Sequence, residues 1–186
     1  MNRIARTLLA ATVVVGATLA VGAPASAAPT LDQAKQAVAA RIDKRLDALK
    51  QFDATIGGAK QLTAAHKDTL TKLVADQRGG LTALKTKVQG ETTAAALKAD
   101  AQSMVNDYRV FMLTGPKVRL TAAIDTELVV AHKTAGTDAI QKSLEGKADA
   151  LLAVKPGPDA DAIKAAVSPI RDAAKAAHKS LKALRK

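Results

Sequence analysis

The chain has 186 residues, 42 of them alanine, with no cysteine, no tryptophan, one tyrosine and two phenylalanines. This excludes disulfides and thiolate metal sites and leaves few large rings for a wide core, but it favours helices, where alanine gives up no side-chain entropy. The 28 basic and 17 acidic residues give a formal charge of +11, too mixed in sign for a simple polycation.

Residues 1–27 read as a secretory leader. Arg3 and Arg6 precede an uncharged Leu/Ala/Val run over residues 8–21, and Ala25 and Ala27 fit the small positions of a cleavage site before Ala28. The apolar run is interrupted by Gly22 and Pro24, short of the ~20 residues that a membrane span needs. The expected product is an exported, secreted or cell-wall-associated domain over residues 28–186. With no cysteine it must be held by apolar burial alone.

Hydrophobic spacings of three and four run through this domain, and no segment alternates with period two. The first helix, from Thr30 to Ile56, places Val38, Ile42, Leu49, Phe52 and Ile56 on one side and stops at Gly57-Gly58. Thr63 can cap a second, with the seam Leu70, Val74, Gln77, Leu81, Leu84, Val88. The seam keeps phase through Gly79-Gly80, which predicts one helix, weak in the middle.

Thr92 or Thr93 opens a third helix with Leu97, Ala101, Met104, Tyr108 and Phe111 as its seam, and Gly115-Pro116 is expected to kink or end it. A fourth stretch carries Val118, Leu120, Ile124, Leu128 and Ala131 as far as Gly136. Thr137 is expected to cap a fifth, with Ile140, Leu144, Ala148 and Leu151. The turn at residues 155–158 separates a last basic helix, 159–186. In it Ile163, Val167, Ile170, Ala174, Ala177, Leu181 and Leu184 form a heptad seam, with Ser168-Pro169 read as a cap and first-turn pair. The expected fold is all-α, a single elongated up-and-down bundle of five or six helices.

Little local chemistry is visible. His66, His132 and His178 fall in three different helices without a ligand partner at i+3 or i+4, and are expected to be solvated; no metal site is indicated. No phosphate loop, nucleophile motif or paired acid and base appears, so no catalytic residue and no cofactor is assigned, and a non-enzymatic protein is expected.

Two constellations remain. Tyr108, Arg109, Phe111 and Met112 form a rare cluster of large side chains, read first as the thick centre of the core and second as a partner or ligand groove. Lys175, Lys179, Lys182, Arg185 and Lys186 form a dense C-terminal cluster, more than a helix dipole calls for, and are the candidate anion-binding residues. With no aromatic in that tail and no groove-reading motif, sequence-specific nucleic-acid binding is not expected. The expected partners are anionic wall polymers or lipid headgroups. The alternative is an apolipoprotein-like carrier of lipid or a small ligand, whose narrow seams open onto lipid.

Residues 63–125, with Thr82-Ala83-Leu84-Lys85, Asp107-Tyr108-Arg109-Val110-Phe111 and the downstream Pro116-Lys117, resemble alanine-rich secreted helical proteins of actinobacteria. The resemblance covers well under half of the exported part. It implies an exported helical protein and carries over no catalytic residue.

Overall fold

The computed structural model describes residues 29–184; the expected leader, and Arg185 and Lys186 of the basic cluster, lie outside the described residues. Among these the fold is all-α, without a strand: α1 (Leu31–Gly58), α2 (Ala64–Gly90), α3 (Ala94–Asn106), a π-helical turn (Val110–Thr114), α4 (Gly115–His132), α5 (Asp138–Leu144), α6 (Lys147–Ala153) and α7 (Ala160–Leu184).

Cross-helix bonds give the direction of each rod. Lys85 donates to Asp43 and Lys35 to the carbonyl of Gln89, so α2 descends along α1. Lys87–Asp100, Gln77–Tyr108 and His66–Asp125 then set α3, the π turn and α4 end to end as one broken rod, antiparallel to α2. Lys117 reaches Leu152 and Val154 on the descending α5–α6 rod, and Glu127 meets His178 on the rising α7. The bundle therefore has five up-and-down rods. A 28-residue helix is about 42 Å long, so the molecule is elongated.

The long helices follow their seams. Val38, Ile42, Leu49, Phe52 and Ile56 of α1 are buried, and α2 buries every seam position from Leu70 to Val88. Thr30 makes a full capping box with Gln33, while the Thr63 and Thr93 hydroxyls accept from the amides of His66 and Ala96. The helix through Gly79-Gly80 is unbroken.

Several expectations need correction. The third helix does not run to Gly115-Pro116: it ends at Asn106, and Arg109 adopts a left-handed conformation at φ 44°. A wide π turn follows, and Pro116 lies in the first turn of α4, where a missing amide costs little. Ser168-Pro169 is not a cap. Asp159 caps α7 by accepting from the amides of Asp161 and Ala162, and Pro169 sits exposed inside the helix, so the carbonyl it frees at Ala165 faces water.

The fifth helix is split into α5 and α6 at Gly146, φ 66°. Thr137 stands at the α5 N-cap position, but its hydroxyl turns back to the carbonyls of Ala131 and Thr134. Leu184, the last seam residue of α7, is 53% exposed.

Two apolar clusters result. One gathers α1, α2 and α3 with Val110 and Val118; the other gathers Leu113 and Ile124 with α5, α6 and α7. The third rod belongs to both.

Candidate functional site

The Tyr108–Met112 constellation is split by the chain break. Tyr108 is half-buried against α2, its hydroxyl over Gly80, where an added Cβ would lie 2.5 Å from it. Burial, and secondarily the charge of Asp107, raises its phenol above the ordinary range. Arg109 is buried. Its guanidinium donates to the carbonyls of Gly157 (2.8 Å) and Pro158 (2.6 Å), tying the linker before α7 to the rod break. Arg109 also lines a small surface hollow of about 180 Å³ with Arg45, Val105, Phe111 and Met112.

Phe111 is not core. It is 56% exposed, with the Arg45 guanidinium 5.4 Å from its ring centre. Met112 is half-buried beside it. The reading of this cluster as the core's thick centre fails for Phe111 because a helix continuous from Ala94 would have turned that ring inward. The break at residues 107–109 rotates it out.

Lys175, Lys179 and Lys182 are exposed, as is Arg171 one turn earlier. At 100° per residue, positions 164, 171, 175, 179 and 182 fall on one side of α7, adjacent to the buried seam. Lys164 pairs with Asp161 at 2.9 Å; Arg171, Lys175, Lys179 and Lys182 make no ion pair among the described residues.

This stripe is one wall of a groove between the parallel helices α4 and α7. Three hollows follow one another along it, of about 310, 370 and 420 Å³. The first is lined by Phe111, Met112, Pro116, Lys164, Val167 and Arg171, the second by Leu120, Ala123, Arg171, Ala174 and Lys175. The third has Val130, Leu181 and Lys182, with Glu127 and His178 joined across it at 2.6 Å. The floor is apolar and the α7 rim is basic. Phe111 and Met112 thus share a face with the lysines, whereas Tyr108 and Arg109 do not.

Of the histidines, His132 and His178 are exposed as expected, and His66 is not. His66 is largely buried: Nδ1 lies 2.8 Å from Asp125, whose other bond is from the Thr63 amide, and Nε2 lies 3.2 Å from Asp149. Burial lowers its pKa, but the bonds to Asp125 and Asp149 outweigh that and the net shift is upward. The partners are about 60 and 80 positions away in the chain, beyond the reach of any local spacing rule. No group of three His, Asp or Glu side chains among the described residues is arranged so that it could hold a metal ion.

Sequence reasoning also missed Lys117. It is 5% exposed, with Nζ donating to the carbonyls of Leu152 and Val154 at the C-terminal end of α6, and burial lowers its pKa to about 8. Gln77 also joins elements inside the bundle, donating to the Tyr108 carbonyl and accepting from Thr114, whereas the buried Thr121 hydroxyl has no partner. Comparison with protein-family models, with curated proteins and with solved structures returns no match, so the α4–α7 face is read from its own geometry.

Proposed function

We propose that this is an exported, non-enzymatic helical protein that attaches through the basic face of α7 to anionic cell-envelope or extracellular material. The leader pattern at residues 1–27 supports export. The observation that carries the attachment reading is the row Arg171, Lys175, Lys179 and Lys182: four cations, exposed, on one side of one helix, with no acidic partner among the described residues. Cations kept together against their mutual repulsion and left unneutralised form a surface for a polyanion.

Retention on anionic wall material at two salt concentrations tests this. The native protein is expected to be held at low salt and released at high salt, and the triple variant Lys175→Gln/Lys179→Gln/Lys182→Gln to pass through at both. All three positions are exposed, so the variant keeps the core. Equal retention of the two proteins defeats the proposal. The second reading, a lipid or small-ligand carrier, draws on the apolar groove floor and calls for binding that survives high salt.

A further inference from the structure

The chain has two phenylalanines and treats them oppositely: Phe52 is 4% exposed, Phe111 56%. A lone exposed apolar side chain is ordinary on a monomer. Phe111 is not alone. Val105, 37% exposed, shares a hollow with it, Met112 and Arg45, and the apolar surface continues past Pro116 to Leu120 and Ala123. Cations surround the ring, with Arg45 above it and Lys164 and Arg171 across the adjoining hollow. The acidic groups on this face are Glu127, which meets His178, Asp161, which meets Lys164, and the exposed Asp172.

We infer that this face docks peripherally on an anionic phospholipid bilayer, with Phe111 lowered into the headgroup–acyl boundary and Arg171, Lys175, Lys179 and Lys182 lying over the headgroups. The inference rests on the reading of α7 as the attachment face and selects one anionic material for it. A polymer of sugars and phosphates satisfies the lysines but offers no apolar depth for Phe111. A bilayer surface offers both, and one aromatic beside a polybasic row is the chemistry that such a surface recognises. The contact is superficial, since no helix among the described residues is long and apolar enough to cross a membrane.

The two contributions differ in salt dependence: the lysine row is screened, whereas the burial of Phe111 is not. Phe111→Trp puts a single tryptophan at the site, because the chain otherwise has none. With vesicles of phosphatidylglycerol and phosphatidylcholine its emission is expected to shift blue, and to be quenched when the acyl chains are brominated. Phosphatidylcholine alone should do neither. In flotation of the native background, Phe111→Ser should lower partitioning about five- to tenfold, as loss of part of a phenylalanine's burial implies. The triple lysine variant should lower it further at low salt, all with native circular dichroism.

Vesicle binding with an unshifted, unquenched tryptophan overturns the inference while leaving attachment through α7 standing. So does retention on wall material without vesicle binding. Equal binding to both vesicle types removes the electrostatic half of the inference and the α7 reading with it.

Discussion

Gly79 and Gly80 sit side by side in the middle of α2 and meet different surroundings. A Cβ at Gly79 would meet nothing within 4 Å, whereas one at Gly80 would lie 2.5 Å from the Tyr108 hydroxyl and 2.8 Å from its ring. Gly79→Ala should therefore stabilise the protein by about 1 kcal/mol, the helix-propensity gain. Gly80→Ala should destabilise it by about 1–2 kcal/mol, since the stiff ring must leave its seat on α2. Urea midpoints read both signs. Tyr108 is the chain's only tyrosine, so an ultraviolet titration should show its raised pKa relaxing toward the ordinary phenol value in Gly80→Ala alone. His66 supplies a second prediction at this scale. Its folded pKa is raised above 6.5, so the folded chain binds its proton more tightly than the unfolded chain does. That stabilisation is fully present below pH about 6.5 and fades as pH rises through the folded value. Thermal midpoints of the native protein should fall across that window relative to His66→Gln; parallel curves would show that the Asp125 and Asp149 contacts do not bind the proton.

Whole elements were legible where one helix face is buried along its length. The seams of α1, α2 and most of α7 were readable because a buried stripe must repeat with the helical period, and the two mid-helix glycines did not disturb that repeat. The breaks were not legible. Gly115-Pro116 looks like the stronger interruption, yet the chain departs from helix at residues 107–109, where Arg109 bonds carbonyls almost fifty positions downstream. Nothing local announces that bond. The same holds for Lys117, whose aliphatic-then-charged side chain reads as surface until α6 is seen ending against it. Its folded pKa of about 8 lies below the unfolded 10.5. Between those values the unfolded chain binds the extra proton, so stability rises with pH across the window. A shift of this size corresponds to about 3 kcal/mol. Lys117→Met should remove the rise, so the difference between variant and native chain should change by up to that amount between pH about 8 and 10.5. A constant difference would mean that the amine stays protonated, held by the α6 carbonyls.

At the level of the whole molecule, the clustered charge of α7 could be read from composition. The groove beside it could not, because a groove depends on which helix lies alongside and in which direction. α4 runs parallel to α7 only because the short α5–α6 rod returns between them. That arrangement also decides how the protein unfolds. Its apolar interior falls into two clusters, one around α1 and α2 and one around α5–α7, which on their own would be two small domains. The third rod prevents this. Val110 and Val118 enter the first cluster while Leu113 and Ile124 enter the second, in alternation along one continuous stretch. Gln77 bonds that stretch to α2 and Arg109 bonds it to the α7 linker. Melting either cluster strips one side of the shared rod and exposes the other cluster's floor. Leu49→Ala in the first cluster and Leu151→Ala in the second, both fully buried, should each cost about 2–5 kcal/mol and each move the same single urea transition. Their costs should add within about 0.5 kcal/mol, because the sites share no partner. If the rod does not couple the clusters, Leu151→Ala will split the curve. A first step confined to α5–α7 would then precede a second at the native midpoint.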